Sequence, residues 1–586
     1  MKKMISIVIA LLSIFHGRAQ VSYYVDGTNG NDNNTGTSLS QAWQSIQNAF
    51  DKSTPASTVY IRGGTYHENI YANVSGTEGH PIRFRNYQSE VVILDGAGTS
   101  ESDMLYIEDQ SNIIVENITV QHKVGNNATG VTISCTRNAS VSNITLRNLK
   151  ITGINWSSNP NAQPTPNDNS NPLLVSGEGI NQVNAITNIV IDSCEVFNNI
   201  TGYSESISLD GNVDGFVVSH NLIHDNKNIG IHMGGNYRVS SNPEVDHSRN
   251  GTCILNTCFN NISNYATSGG IYVDGGKNII IERNISFGNG FGIEIGSEED
   301  GITSGITVRD NVIYNNKEAG LAMGGYTTAT TGQVLNSNVL NNSFLKNDYS
   351  NSGTGEVYIT KMSNCTIQNN IFYTNEQSIL ISKDNIAPFN GNSINYNCWF
   401  TPDNNSDNIK VTWGNTTYTV FSNYVAQTGM DINSIYADPE FIDGTAFSPD
   451  FHLQNTSTCI DRGDPSFVAV SLERDFYGEP RIINSRVDIG ASEYSMTSFV
   501  SENNKNMSVF VYPNPIINES IILFSPELEN ARMQIYTMMG EEIETLESIF
   551  GNQLLINRNK LMDGVYFIRV SQDNKVIALS KIVVSH

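Results

Sequence analysis

The sequence predicts an all-β protein, a single-stranded right-handed parallel β-helix followed by a small C-terminal β-sandwich. Three observations predict the β-helix: a frame of alternating apolar residues recurs along the chain, an Asn closes most repeats, and no long helical stretch interrupts them. The clearest pair of repeats reads GIYVDG from Gly270 and GIEIGS from Gly292. The apolar positions persist while the polar positions vary, which is typical of a scaffold that carries a site.

Two frames alternate, with a period of roughly 22 to 40 residues set by loop insertions. The first frame reads VYIR at Val59, LYIE at Leu105, VTIS at Val131, ISLD at Ile207, IHMG at Ile231, IYVD at Ile271, IEIG at Ile293, LAMG at Leu321 and VYIT at Val357. The second reads NIIVEN at Asn112, NIVIDS at Asn188, FVVSHN at Phe216, NIIIERN at Asn278, ITVRDN at Ile306 and CTIQNN at Cys365. Hairpin turn signals are poor, so parallel coils fit best.

The Asn residues that close the repeats are expected to form a ladder at one turn of the coil, each amide bonding its neighbours above and below. The clearest examples are Asn226, Asn289, Asn315, Asn347 and Asn375. A short helix over Gln41–Phe50 is expected to cap the first coil. The seven Cys are scattered without zinc spacing, so buried free thiols are expected in preference to a Cys253–Cys258 disulfide.

The chain has 586 residues and a formal net charge of −25. Such a surface repels nucleic acid and anionic lipid, so we expect no nucleic-acid partner. The first residues, Met1-Lys2-Lys3, precede an apolar run and then Gly17-Arg18-Ala19. This order predicts a signal peptide over residues 1–19, cleaved after Ala19. Because no later apolar run reaches the ~18 residues of a membrane span, we expect an exported protein.

Residues 20–495 are expected to form the β-helix domain, and their ends carry a family resemblance. YYVDG at Tyr23 and VYIRGGTY at Val59 open it, and ADPEF at Ala437, CID at Cys459 and VDIGA at Val487 close it. These segments resemble pectin-lyase-like β-helix proteins of Bacteroidetes. The resemblance implies the fold, but lyases, hydrolases and non-catalytic proteins share this scaffold.

The composition changes after the β-helix. Residues 496–508 are expected to be a linker, and residues 509–586 a β-sandwich with YPNP at Tyr512, DGVYFIRV at Asp563 and KIVV at Lys581. The order of these motifs resembles the sorting domain of the type IX secretion system. The resemblance implies handling by the type IX machinery, passage through the outer membrane, and either attachment to the cell surface or release.

The outward positions of the first frame predict a functional site. Read up the stack, they give a column of Ser208, His232, Tyr272, Glu294, Ala322 and Tyr358 and a second column of Asp210, Gly234, Asp274, Gly296, Gly324 and Thr360. Neighbouring coils lie ~4.8 Å apart, so the polar members are expected close together and facing outward. We predict His232, Tyr272, Glu294 and Asp274 as catalytic residues and Asp210 as a binding residue.

The insertion of residues 236–250 follows His232 and is expected to border the site. It carries Tyr237, Arg238, His247 and Arg249, and Lys361 follows the second column. Because guanidinium groups pair with planar anions, we predict that these residues bind the carboxylate or sulfate groups of a substrate.

Two chemistries suit this set of residues. The first is β-elimination on a uronic acid, with His232 and Tyr272 moving protons and Glu294 or Asp274 orienting or replacing them. The leaving group, sugar or water, stays open. The alternative is glycoside hydrolysis by Asp274 and Glu294, whose backbone offset of ~8 Å is compatible with the ~6.5–9.5 Å between the carboxyls of inverting enzymes. A non-catalytic glycan-binding surface protein is the third reading.

The predicted partner is therefore an anionic polysaccharide or oligosaccharide, cleaved by a monomeric carbon–oxygen lyase. Family analogy points to algal uronate glycans such as ulvan. No cofactor is required by this interpretation, and calcium stays open. Glu298-Glu299-Asp300, and Asp210 with Asp214, are acidic enough for calcium, but no ordered calcium-loop motif is present. Exposed acidic turns are the preferred interpretation of both.

Overall fold

The structure is a computed structural model. It describes residues 21–325, 332–445, 449–495, 508–512, 516, 519–537, 542–558, 561–562, 564–572 and 575–584. The predicted signal peptide, and the predicted linker apart from Ser508, lie outside these ranges. None of the helices in the described ranges is long and apolar enough to cross a membrane.

Most of the described chain winds through three long sheets, named here A, B and C in the order in which each coil visits them. Sheet A contains Val21–Val25, Ser57–Ile61, Ile82–Asn86, Ile113–Glu116, Val141–Arg147, Ile186–Asp192, Val213–Ser219, Ser248–Ile254, Lys277–Glu282, Ile302–Ser304, Thr307–Arg309, Gln333–Leu335, Asn338–Leu340, Met362–Ser363, Thr366–Gln368, Phe389–Asn390 and Ser393–Asn395.

Sheets B and C complete each coil. Sheet B contains Gly64–Tyr66, Val92–Asp95, Thr119–Val124, Lys150–Asn155, Glu195–Phe197, Leu222–His224, Thr257–Phe259, Ile285–Phe287, Val312–Tyr314, Ser343–Leu345, Ile371–Tyr373, Cys398–Phe400 and Ile435–Tyr436. Sheet C contains Ile70–Tyr71, Asp103–Glu108, Ala128–Cys135, Ser170–Gly177, Ile207–Gly211, Ile231–Gly234, Gly269–Asp274, Phe291–Ser297, Leu321–Gly325, Val357–Ile359, Ile379–Lys383, Lys410–Trp413 and Thr416–Tyr418.

Successive coils pair in parallel, which confirms the predicted β-helix. The exception within sheets A to C is the final hairpin of sheet C, where Lys410–Trp413 and Thr416–Tyr418 are antiparallel. Alternation sorts the side chains as predicted: Ile231 and Met233 are fully buried in the core inside the coil, while His232 between them lies on the outer side of the sheet. The register of the first frame therefore fixes which residues share an outer face.

Asn ladders form at two turns of the coil, whereas the sequence predicted one. The ladder between sheets A and B contains Asn221, Asn256, Asn284, Asn311, Asn342, Asn370 and Asn397, and the ladder between B and C contains Asn199, Asn226, Asn261, Asn289, Asn316 and Asn347. Asn316 replaces the predicted Asn315, and the amide of Asn375 donates instead to the backbone carbonyls of Asn347 and Asp348.

Each ladder ends on a buried carboxyl group. The Asn397 amide donates to Asp431 Oδ1 at 3.2 Å, and the Asn347 amide donates to Glu356 Oε2 at 2.7 Å. Burial raises the pKa of Glu356 to about 8. The ladders satisfy backbone groups at turns that water does not reach, which is the requirement for stacking coils.

Both ends of the coil are covered. The N-terminal helix is Ile46–Lys52, preceded by the 3₁₀ turn Leu39–Gln41, so the cap begins later than predicted. Ser45 caps it by accepting from the Asn48 amide, and Phe50 stacks on Phe84 with ring centroids 3.7 Å apart. Other helices in the described ranges include the 3₁₀ turn Gln182–Asn184 and the α-helix Phe421–Thr428.

Residues 437–495, named here the closing segment, follow the last coil and include the hairpin of Phe441–Asp443 and Asp450–Leu453. Their apolar side chains pack on sheet B. Arg481 is fully buried there and pairs with Asp310 at 2.8 Å and Glu493 at 2.6 Å.

The C-terminal residues form an antiparallel sheet around a core of their own. Its strands are Ser508–Tyr512, Glu519–Thr537, Glu542–Asn557, Gly564–Gln572 and Lys575–Val584. The two longest strands shift register along their length and carry residues of one core, which includes Ile522, Met533 and Ile568. All seven Cys are buried, as predicted, and the structure contains no disulfide between them.

Candidate active site on the outer face of sheet C

Four neighbouring strands of sheet C bring the predicted column together. The register pairs Ser208 with His232, His232 with Tyr272 and Tyr272 with Glu294. In the second column, Gly234 pairs with Asp274, and Asp274 with Gly296. The alternating frame predicted these pairings because a one-residue slip of a strand would turn its aliphatic residues outward.

His232 is the cationic centre of the site. Its Nδ1 lies 3.1 Å from Ser208 Oγ, 3.4 Å from Asp210 Oδ1 and 4.0 Å from Glu205 Oε2. Ser208 in turn donates to Asp210 Oδ2 at 2.6 Å. Burial lowers the pKa of His232, but the charges of Glu205 and Asp210 outweigh this effect and raise the pKa well above its ordinary value. The imidazole is therefore protonated at neutral pH.

Asp274 lies on the other side of the imidazole and is fully buried. Its Oδ2 is 4.0 Å from His232 Nε2 and accepts a hydrogen bond from the Tyr237 hydroxyl, while its Oδ1 accepts from the Glu298 amide at 2.9 Å. The two hydrogen bonds and the imidazole contact approach the carboxylate from different directions. Asp274 is thus held in a fixed orientation.

Two tyrosines enclose the imidazole edge-on. The ring centroid of His232 is 5.7 Å from that of Tyr272 and 6.2 Å from that of Tyr237. Burial and the charge of Asp274 raise the pKa of both phenols, so both stay protonated and act as donors. The space over Gly296 is occupied by Tyr272, since a Cβ at Gly296 would lie 3.0 Å from the Tyr272 hydroxyl.

Three glutamates around His232 have raised pKa values. Burial raises the pKa of Glu205 to about 7, against the lowering effect of His232. Although the Glu298 side chain reaches solvent, desolvation by the surrounding protein and the neighbouring Asp274 raise its pKa to about 7 as well. Burial, together with Glu298 and Asp274, raises the pKa of Glu294 well above its ordinary value. Carboxylic acids that keep their proton near neutral pH are suited to general acid catalysis.

The structure corrects the predicted exposure of the site. His232 is 4% exposed and Tyr272 is 2% exposed, although both point away from the inside of the coil. The insertion after His232 places Tyr237 over them, and the carboxylates of the neighbouring coils close the sides. Solvent instead reaches Tyr237 and Glu298, which are exposed, and Glu294, which is half-buried.

Most of the predicted basic residues do not face the site. Arg249 lies in a strand of sheet A, where its guanidinium donates to Asp214 at 3.1 Å and to Asn212 at 2.9 Å. That strand begins at Ser248, inside the predicted insertion of residues 236–250, so the Arg249 side chain is engaged on sheet A and its predicted role as a substrate ligand is not supported. Lys361 is 2% exposed and engaged in contacts within the protein. Neither side chain is available to a substrate.

The remaining insertion residues divide between loop and site. His247 is buried beside Gly235, and burial lowers its pKa to about 4, so the prediction that it binds substrate is not supported. Arg238 is exposed on the insertion, and its backbone amide donates to Asp246 Oδ2 at 2.6 Å. Asp210 and Tyr237 do join the site, through the contacts with His232 and Asp274 described above.

Among the described residues, no group of three or more His, Cys, Asp or Glu side chains is arranged to hold a metal ion such as calcium. Asp214, one of the sequence candidates, is committed to Arg249 and to the Asn250 amide.

Sequence reasoning missed two carboxyl groups as members of the site. Glu205 precedes its strand and so lies outside the alternating frame. Glu298 follows its strand, in an acidic turn whose sequence predicts exposure to solvent. The useful signal for Glu298 was its position directly after GIEIGS, where the chain leaves the outer face carrying the column.

Comparisons with known proteins agree with this architecture. The family model described as right handed beta helix region matches residues 260–425, and the one described as secretion system C-terminal sorting domain matches residues 510–585. YwoF of Bacillus subtilis is 33% identical over 450 residues, which cover 74% of this chain and 91% of YwoF. Pectate lyase PEL9 of Emericella nidulans is 46% identical over 69 residues, covering 11% of this chain and 17% of that enzyme.

The similar solved structures are more distant in sequence. Pectate lyase Pel9A has 15% identity and a TM-score of 0.42 and covers 81% of this chain and 96% of its own. The GH136 lacto-N-biosidase of Eubacterium ramulus has 14% identity and a TM-score of 0.42, covering 66% and 64%. The sorting domain indicates secretion by the type IX system to the outside or the cell surface. The chain belongs to the same family as YwoF, contains a right-handed β-helix region and carries a secretion system C-terminal sorting domain.

Proposed function

We propose that the protein is a secreted carbohydrate-active enzyme that hydrolyses glycosidic bonds with paired carboxyl groups on sheet C. One observation carries the proposal. The Asp274 carboxylate is oriented by the Tyr237 hydroxyl and the Glu298 amide, beside a Glu298 carboxyl group whose pKa is raised to about 7. An ionised carboxylate next to a protonated one is the pair that glycoside hydrolysis requires.

The roles follow from exposure and charge. Glu298 is exposed and protonated at and below neutral pH, so it is the acid that donates a proton to the leaving oxygen. Asp274 is the partner whose carboxylate stabilises or attacks the anomeric carbon, and Tyr237 and His232 keep it oriented. Glu294, half-buried between Tyr272 and Ala322 in the column, borders the same space.

The charge of the site favours an uncharged sugar. In the described part of the chain no Arg or Lys forms an ion pair with Glu205, Asp210, Asp274, Glu294 or Glu298. A uronate would find no Arg or Lys partner among these carboxyl groups to offset the cost of removing its charge from water. The proposal therefore replaces the anionic substrate expected from the sequence with a neutral glycan.

An aromatic pair at the edge of the site supports a carbohydrate ligand. Tyr203 lies two residues before Glu205 and is 36% exposed, and its ring centroid is 5.5 Å from that of Tyr265. The Tyr265 hydroxyl donates to the Gly202 carbonyl at 2.8 Å, which fixes the pair across an intervening coil. Exposed, immobilised aromatic rings offer the apolar faces of sugars a surface at low entropic cost.

The test is a screen of the secreted protein against neutral and uronic-acid glycans, with two readouts. Reducing ends report hydrolysis, and ultraviolet absorbance near ~235 nm reports the conjugated product of elimination, a reaction driven by proton transfer. We expect reducing ends from a neutral glycan without that absorbance, and their loss in the Asp274→Asn variant. Binding of glycans without either signal would contradict an enzymatic role.

β-Elimination on a uronic acid is the second candidate, favoured by the contact of His232 with Tyr272 and by the exposed Arg238 on the insertion. It requires a base, and His232 is protonated in its present surroundings. Tyr272 is not available as a base either, because burial raises the pKa of its phenol. Strong absorbance near ~235 nm on a uronate glycan would nevertheless select this chemistry over hydrolysis.

A further inference from the structure

The closing segment is held on the outer face of sheet B by an apolar cluster. Sheet B contributes Val312, Tyr314, Leu345, Ile371 and Cys398, and the closing segment contributes Phe441, Phe451, Leu453, Cys459, Ile489 and Ala491. Each side therefore supplies one cysteine to the same interface. Both thiols are fully buried.

Cys398 faces the closing segment because of its place in the strand. Trp399, the next residue, lies in the core inside the coil, so alternation turns Cys398 to the outer side. Its Sγ donates to the carbonyl of Ala437, 3.2 Å away, at the start of the closing segment.

Backbone hydrogen bonds fix Cys459 at the same level of the stack. The Cys459 carbonyl accepts from the Ile489 amide at 3.0 Å, and the adjacent Gly490 amide donates to the carbonyl of Asn369 at 2.8 Å. Asn369 belongs to the coil of Ile371, which is paired in register with Cys398. Both side chains belong to the same buried cluster, and contact with Cys459 is the largest cause that raises the pKa of the Cys398 thiol.

We propose that Cys398 and Cys459 form a disulfide in the exported protein, which ties the closing segment to sheet B. The two S–H bonds break and one S–S bond forms. The two electrons and two protons pass to a disulfide oxidant, which becomes a dithiol. Secretion brings the chain to compartments where disulfides persist. Because both thiols are inaccessible after docking, oxidation occurs while the closing segment folds onto the coil.

The disulfide has a defined structural effect. The closing segment is joined to the coil through the polypeptide at one end, and its far end is held by side-chain contacts such as the ion pairs of Arg481. A cross-link from Cys398 to Cys459 closes a long loop, which is the case in which a disulfide restricts the unfolded chain most. Local opening of the closing segment therefore becomes rarer.

The direct test uses the full-length mature protein recovered from the medium of a type IX-secreting host. Thiols are alkylated in denaturant without reductant, and peptides are identified by mass spectrometry. We expect a Cys398–Cys459 cross-linked peptide and alkylation of the other Cys. Alkylation of all seven Cys, or a cross-link between other residues, overturns the proposal.

A second measurement covers variants that fold poorly. Each protein is denatured and refolded with or without reductant, and proteolysis within residues 437–495 is then timed, for the wild type and for the Cys398→Ala/Cys459→Ala double variant, with Cys365→Ala as the control. We expect reductant to accelerate cleavage at least tenfold in the wild type and the control, and to leave the double variant unchanged. Equal cleavage of the wild type under both conditions contradicts the proposal.

Discussion

The same coils form sheets B and C, but the outer faces of the two sheets give a histidine different surroundings. On sheet B, His224 stacks between Phe197 and Phe259, with ring centroids 5.3 and 4.8 Å away. On sheet C, His232 is surrounded by Asp210, Glu205 and Asp274. The stacking column on sheet B continues through Phe287 and Tyr314.

The comparison teaches that one scaffold can hold a histidine for packing or for chemistry. His224 also contacts carboxylates, with Nδ1 2.7 Å from Asp225 Oδ2, so acidic neighbours alone do not define a site. What distinguishes sheet C is the combination of a buried oriented carboxylate, two protonated phenols and several carboxylic acids of raised pKa. Clusters of perturbed groups are typical of functional sites.

The largest expected effect comes from Asp274. Replacing Asp274 by Asn is expected to lower kcat/KM on the glycan found by screening by about 10³-fold or more, because the ionised partner of the carboxyl pair is lost. Asp225→Asn, which removes the carboxylate beside His224 instead, is the matched control. Steady-state kinetics of both variants make the measurement, and equal losses would remove the distinction between the two faces.

His232→Gln is expected to lower kcat by about 10²-fold, since Asp274 and Asp210 lose the cation that separates them. His224→Gln, one sheet away on the same coil, is expected to leave kcat unchanged and to lower the midpoint of thermal unfolding slightly. A comparable fall in kcat for His224→Gln would place the functional face elsewhere.

A substitution within the Asn ladder between sheets A and B tests the scaffold that both faces share. Asn311 accepts from the backbone and side-chain amides of Asn284 and donates to Asn342 Oδ1 and Ile281 O. Asn311→Ala leaves these buried groups without partners and is expected to cost about 3 kcal/mol of unfolding free energy. Urea unfolding measures it, with the exposed Asn264→Ala as control. A loss below about 0.5 kcal/mol would show that the ladder is dispensable.

The pH dependence is expected to follow Glu298. Because the protonated acid is the active form and the pKa of Glu298 is about 7, kcat/KM is present below that pH. It falls about tenfold per unit above it. Glu298→Gln is expected to lower activity and to remove this alkaline limb. A limb that persists unchanged in Glu298→Gln assigns the acid to another group, with Glu205 next in line because its pKa is also about 7.

The sequence predicted the coil and the paired columns because alternation and burial leave a strand with one register. It did not predict the burial of His232 and Tyr272, which depends on the path of the insertion. The sequence also did not predict that Arg249 lies on sheet A, because the boundary between the insertion and the strand determines which face the side chain joins. Glu205 and Glu298 were missed as site residues for the same reason: turns place them, and the frame carries no information about turns.

The most direct test of the account is hydrogen exchange of the Asp274→Asn protein with and without a bound oligosaccharide from the screen. We predict slower exchange in Ile207–Gly211, Ile231–Gly234, Gly269–Asp274 and Phe291–Ser297 and no change in Leu222–His224 or Thr257–Phe259. Protection confined to the sheet B strands, with sheet C unaffected, would contradict it.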